Sequence, residues 1–470
     1  MVTQAYAADD KVSRSGDFMT GTLTLQGTPP LAVPSGGAAG KVLTSDGSGN
    51  ASWESPSGSS GTDWLSIVTY GAVSGGVTDC TTAIQAALTA AATSGATVYV
   101  PAGIFLVSAA LTMPAGITLM GDGNGESVIK LKASTAVTEI LGITANQFNY
   151  SATIRDLQIL GNQANSATAT HGIYLFAPSD CIIQRVRITG VSGNAITLDG
   201  SGTYLGTATK VLDSFARTCG GKGLNITQYA TDTLVEGCDF GSCGGPAYYT
   251  AAIQAAFVGS IGWGSDVGLS CDTTSGEIWV SGCRFDQNLY YGIWILCPNV
   301  TISSTFAYDN SVGTGGTQPG ILLDSGSANV VISGCRSVGG LNGGAQQSYG
   351  LTLNSGRTGP ATVTGCDFSG NGTAGVNVVA AYAGDRIAES NGYNPAGVLG
   401  PPSVPSSTVA LANPYPVSCT VYIHGGTVTV ISVSGSATGL AATPAMVRVP
   451  AGATITMTYS AAPAWTWFGD

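Results

Sequence analysis

Two carboxylates at a suitable separation are the minimum equipment for breaking a glycosidic bond, about 5–5.5 Å for retention and about 6.5–9.5 Å for inversion. Asp286 and Asp309 each follow a short strand-like run, Val280–Phe285 and Ile302–Ala307, and are the first pair to consider as catalytic groups. Asp266 and Asp272, beside a long spacer, are reserves. The competing reading is plain, because Asp after a strand is an ordinary turn residue. Sugar rings stack on exposed Trp and Tyr, and Tyr248, Tyr249, Trp263, Tyr290, Tyr291 and Trp294 crowd the same stretch, so they are the expected glycan-binding residues. For any one of these rings the alternative is burial against another subunit.

Other chemistries are excluded. The chain has only two histidines, His171 and His424, which leaves no cluster for a zinc site and little for a Ser-His-Asp triad. No dense group of acids stands ready to hold Ca²⁺ for a lyase, and Gly121–Gly125 lacks the Lys and following helix of a phosphate loop. No metal and no cofactor are expected. A net charge of −11 offers no basic field, so nucleic acid is not an expected partner. No uninterrupted apolar run reaches membrane-spanning length, and membrane insertion is not expected. Met1–Asp10 shows no secretory pattern, so a protein working outside the cell would leave by another route.

The elements that must position these residues are strands. Charged residues make up 9% against roughly 25% in an ordinary domain, and 68 glycines punctuate short apolar runs. Segments beginning at Ile154, Ile183, Val211, Val235, Val280, Ile302, Ile332 and Val363 align with one another, at spacings of 22 to 31 residues and one of 45. Three positions on lies a column containing Cys238, Cys283, Cys335 and Cys366, and two further on one containing Phe240, Phe285 and Phe368. Period-two alternation puts both columns on one face. A second strand repeats out of phase, as in Gly292-Ile293-Trp294-Ile295 and Gly320-Ile321-Leu322-Leu323. Such a repeat requires a parallel β-helix, whose coils bury their apolar side chains only by stacking. Eight coils are expected between Ile154 and Val379, with the 45-residue gap holding a loop insertion around Gly241–Asp266.

Between the inward columns the chain reads Asp239, Arg284, Phe306, Arg336 and Asp367, which predicts solvated ion pairs along the outer surface. The stacked cysteines are expected to be buried thiols, since a rung spacing near 4.8 Å exceeds the Cβ separation of a disulfide, about 3.8 Å. One helix is expected over Asp79–Thr93, with Thr81 or Thr82 as N-cap. The fold class is therefore all-β. Its regions are 1–62 as an extended N-terminal part, 63–135 with a capping helix, 136–394 as coils and 395–470 as a small C-terminal β domain.

The stretch from Asp63-Trp64 to Gly123 carries Tyr70-Gly71-Ala72, Thr78-Asp79, Ala83-Ile84-Gln85-Ala86-Ala87, Val98-Tyr99-Val100-Pro101-Ala102-Gly103 and Gly116-Ile117-Thr118-Leu119-Met120-Gly121-Asp122-Gly123. In that order they resemble the opening module of pectate-lyase-like right-handed β-helix proteins, especially phage tail spikes. It departs at Val73-Ser74-Gly75-Gly76, where those proteins usually place an Asp between the glycines. Upstream, Ser15–Leu25 and Gly40–Trp53 look like phage tail-fibre shaft segments. The resemblance implies a homotrimer attached to a tail or baseplate protein through its N-terminal region. It implies a virion component, assembled in the host cytoplasm and released by lysis. It implies recognition of a bacterial surface polysaccharide, with depolymerase activity or a purely structural fibre as alternatives.

Overall fold

The computed structural model describes residues 64–470 other than 144–149, 164–168, 342–346, 389 and 394–396, together with four short strands upstream. The chain divides into two compact units, 1–62 and 63–470. In the first, Thr24–Leu25 pairs antiparallel with Leu31–Ala32, and Val42–Ser45 with Ala51–Glu54. Most of the shaft-like segment Ser15–Leu25 and the turn at 46–50 lie outside the described residues.

The second unit opens with a short strand, Trp64–Ser66, followed by helix α1, Thr81–Ser94, which lays Ile84, Ala87, Leu88 and Ala91 over the end of the core. The side chain that caps its start is Asp79, two residues before the Thr81 expected from sequence. The Asp79 carboxylate accepts the Thr81 N–H at 3.0 Å, while the Thr81 hydroxyl accepts the Ser108 N–H instead. Hydrogen bonds donated by the Ser108 hydroxyl, the Thr81 hydroxyl and the Thr81 N–H hold the Asp79 carboxyl down at about 2. The helix ends where Gly95, at φ 70°, turns back to the Ala91 carbonyl.

Beyond it the chain winds through three parallel sheets of ten, eleven and thirteen strands. We call them A (from Gly103–Val107 to Arg336–Val338), B (from Leu111–Thr112 to Ala374–Val378) and C (from Trp64–Ser66 to Arg386–Ala388). Most complete coils run C, A, B. The repeat starts inferred from sequence form one inward column of sheet C, Ile154, Ile183, Val211 and Val235 in register, then Val280, Ile302, Ile332 and Val363.

One expectation is corrected. The 45-residue gap holds a whole further coil rather than a loop insertion, because Phe257 pairs with Val235 on one side and Val280 on the other. Ser260 and Gly262 stand in this coil where its neighbours carry Cys and Phe, which hid the repeat. Phe285, fully buried, sits over Gly262 in sheet A, where the missing side chain leaves room for the ring.

Stacking supplies the core. Most rungs contribute one apolar residue per sheet, worth about 1.5–3 kcal/mol for a fully buried Val, Leu, Ile or Phe. All eleven cysteines are buried free thiols. Cys238 and Cys283 donate to the carbonyls of Val211 and Phe257 one rung away, each at 3.3 Å. Near the end of the helix, Arg357 and Asp385 form a buried bidentate pair at 2.8 and 2.6 Å. The C-terminal region is two four-stranded antiparallel sheets around its own core of Val421, Ile431, Ile455 and Trp467. Trp465 and Trp467 pack there edge to face, and the Trp465 indole donates to the Pro402 carbonyl.

Candidate functional site

Outward positions of sheet A form two ladders. One reads Arg187, Phe215, Asp239, Ile261, Arg284, Phe306 and Arg336 on successive rungs. Beside it run Thr189, Arg217, Gly241, Trp263, Asp286, Tyr308 and Val338. Alternation along each three-residue strand turns both ladders away from the core that the residue between them enters, though neighbouring side chains cover Asp286 and Val338.

Side chains on this face are tied in place. Arg217 pairs with Asp239 at 2.6 Å and lies over the Trp263 ring, centroid 5.0 Å away. The Trp263 indole donates to the other Asp239 oxygen at 2.9 Å. Arg284 lies 3.0 Å from Asp286, and Arg336 3.2 Å from Asp367. Gly241 admits this arrangement, since a Cβ there would meet the Trp263 ring at 2.5 Å. Burial pushes the Asp286 carboxyl up, against the opposing pull of Arg284 and a hydrogen bond from Tyr308. The Tyr308 phenol is raised by burial and by the Asp286 charge. Next to this pair a depression of about 320 Å³ opens between Arg284, Phe306, Tyr308 and Arg336.

The residues singled out from sequence are dispersed. Asp286 and Asp309 do not share a register position, because Asp286 pairs with Tyr308. Asp309 stands one residue further, in a left-handed turn at φ 51°, fully buried, with a carboxylate oxygen accepting the Leu341 N–H. That burial removes it from any solvent-facing catalytic pair. Tyr248 is likewise corrected, since its ring is fully buried against Phe240 at 5.0 Å and its hydroxyl donates to the Ile261 carbonyl. A one-residue slip of this short strand would exchange which of Tyr248 and Tyr249 faces out, and the sequence alone does not fix that register.

Trp263 belongs to sheet A. Tyr249 and Trp294 occupy one outward column of sheet B with Ser270 between them. The Tyr249 hydroxyl donates to Asp272 at 2.6 Å, and Lys222 stands 3.1 Å over its ring. Trp294 donates to Asp324 and packs on Tyr291, centroids 5.4 Å apart. Tyr290 is exposed at the turn between sheets A and B. Burial pushes the Asp266 carboxyl up, and hydrogen bonds from Tyr249 and Thr273 outweigh burial at Asp272 and lower it. Sequence reasoning read Arg284 and Arg336 as members of solvated ion pairs in an outward column that includes Phe306, and passed over Arg187, Phe215, Arg217 and Tyr308. Extending the same outward column upstream would have found the first two.

Residues 64–253 match the family described as rhamnogalacturonase A/epimerase, pectate lyase-like, and residues 271–391 match right-handed beta helix region. The fold is a pectate-lyase-like right-handed parallel β-helix. Mannuronan C5-epimerase AlgE6 of Azotobacter vinelandii is 37% identical over 142 residues, 26% of this chain and 16% of that protein. The pre-neck appendage protein of Bacillus phage phi29 is 25% identical over 304 residues, 62% of this chain and 29% of that protein. The chain thus spans under a third of the length of these curated relatives. Among solved structures, the Dettilon tailspike protein aligns with a TM-score of 0.57 at 13% identity, covering 87% of this chain and 94% of that one. The AlgE6 A-module aligns at 0.54 and 21% identity, covering 70% and 98%.

Proposed function

We propose that this protein is a phage or phage-like tail spike or fibre that recognises a bacterial surface glycan through the outward face of sheet A. The observation that carries this reading is the ladder itself, in which exposed Phe215 and Phe306 stand beside arginines, two of them held by aspartates, along one sheet of in-register parallel strands. Apolar rings for sugar faces beside fixed donors for sugar oxygens are what a glycan-binding surface needs. The likeness in fold to a tailspike protein and the partial match to a phage appendage protein support the virion setting. In it, residues 1–62 would attach to a tail or baseplate protein and three copies would assemble side by side.

A second reading, cleavage of the bound glycan, is favoured by Asp286, whose raised carboxyl at the edge of the depression suits a general acid. The experiment is to incubate the purified protein with surface polysaccharide extracted from candidate hosts and follow polymer size by chromatography. Intact polymer that co-elutes with the protein is the expected result. Shortened chains would replace binding by depolymerisation, and a protein that retains no host polysaccharide would leave a purely structural fibre.

A further inference from the structure

The chemistry of the ligand can be taken further, on the footing of the glycan reading above. Sheet A carries two depressions of like construction. One, about 320 Å³, lies between Arg284, Phe306, Tyr308 and Arg336. The other, about 290 Å³, lies between Asn124, Arg187, Phe215 and Arg217. In each, an exposed phenylalanine follows an arginine by one rung of the same column, Phe215 after Arg187 and Phe306 after Arg284. The rings are 37% and 48% exposed, an unfavourable placement for the free protein unless something covers them. Phe215 and Phe306 stand four rungs apart, which at a rung spacing near 4.8 Å is about 19 Å along the axis.

Charge is concentrated here against the trend of the chain. The protein has a net charge of −11, yet four of its ten arginines, with Lys130, point out from sheet A. They face Asp239, Asp286 and Asp367, which hold three of the guanidinium groups in place. A guanidinium has five N–H donors, so one carboxylate contact leaves donors for a ligand. Among the described residues Arg187 makes no ion pair. A neutral sugar would leave this excess of cations without a counterpart, whereas a carboxylate or phosphate would pair with them through charge-assisted hydrogen bonds.

We propose that the two depressions are paired subsites for an anionic glycan. Each seats one negatively charged unit against its arginine, with the apolar face of a sugar on the adjacent phenylalanine. A polymer long enough to span both gains from the second contact being intramolecular.

The test uses the full chain and three defined polymers: a polyuronate bearing carboxylates, a polyol-phosphate teichoic acid bearing phosphodiesters, and neutral dextran. Titration calorimetry at low and raised salt should show binding to one or both of the anionic polymers, weakening as salt rises. Comparing the polyuronate with the teichoic acid identifies which anion the arginines take. Arg187→Gln and Arg284→Gln should each cost about tenfold in affinity, and the double variant should bind the polymer no better than a short oligomer that reaches one subsite. Arg187→Gln breaks no ion pair of the described residues, so its loss of affinity cannot come from a stranded carboxylate, and all variants should melt with the parent. Dextran bound as tightly as the anionic polymers, or affinity indifferent to the arginines, overturns the anionic assignment while leaving glycan recognition standing. Failure to bind these polymers and extracted host polysaccharide alike overturns both.

Discussion

Sheets A and C are built from the same coils, yet their outward faces have opposite characters. Sheet A shows arginines, aspartates and aromatic rings. Over the five coils from Ala256 to Thr364, sheet C shows Ala256, Val258, Trp279, Ser281, Thr301, Ser303, Val331, Ser333, Thr362 and Thr364, without one charge. Charge returns at the boundaries, with Lys210 and Glu236 above and Arg386 below. The inward residues of both sheets answer to the same core, so the difference belongs to what each face meets. An uncharged strip is where the copies of the proposed trimer, each of net charge −11, would meet with least repulsion. A trimer packed through that strip would leave the arginine-rich face of sheet A open to the proposed ligand.

The contrast breaks most visibly if a charge is placed on the neutral strip. Thr301→Glu combined with Val331→Glu should reduce the proposed trimer to monomer, a threefold fall in mass by light scattering. Phe306→Arg on sheet A should leave the mass unchanged. A monomeric parent protein, or a trimer that tolerates both glutamates, would refute this use of sheet C.

Arginines separate in the same way according to burial. The side chains of Arg357 and its partner Asp385 are each 2% exposed, and the pair ties the final coils together. Arg357→Ala strands a buried carboxylate and should cost about 3–5 kcal/mol in denaturant unfolding. Arg336→Gln, at a half-exposed pair, should cost less than about 1 kcal/mol. Equal losses would mean that the outer arginines serve the fold rather than a ligand.

Legibility in the sequence followed the same division between inside and outside. Inward columns were readable because stacking demands apolar residues at a fixed period, which is why Ile154, Ile183 and Val211 aligned unaided. The coil around Phe257 escaped because Ser260 and Gly262 satisfy the core by making room for Phe285 rather than by filling it. Outer faces obey no such demand. Asp286 and Asp309 looked equivalent until the register placed Tyr308 opposite Asp286, and Tyr248 looked like its neighbour Tyr249 until the pleat put one inside. A one-residue slip exchanges the two faces, so site residues on strands this short are set by hydrogen-bond register.

Phenylalanine provides a smaller test. Phe306→Ala removes a half-exposed ring from sheet A, so stability should hardly change while glycan affinity falls about tenfold, as for a single well-placed anchor. Trp279→Ala removes an equally exposed ring from sheet C and should leave affinity where it was. Calorimetric titration of both variants distinguishes a ligand face from general stickiness, which would penalise the two alike.

The smallest effect is expected at Asp286. Its carboxyl is raised in the folded chain chiefly by burial, from an ordinary value of 3.8. A raised acid means that the folded state holds the proton more tightly than the unfolded state. Its contribution is therefore favourable below the unfolded value and is lost as pH climbs through the folded one, leaving a buried negative charge at neutral pH. Asp286→Asn keeps the shape and removes that charge, so it should melt slightly higher than the parent at pH 7. The gap should close as pH falls below 3.8, where both side chains are neutral. A variant that melts lower at pH 7, or a gap that widens in acid, would mean that Arg284 and Tyr308 more than offset burial. Sheet A would then hold Asp286 as a structural anchor like Asp239 rather than as the one acid on this face poised to give up a proton.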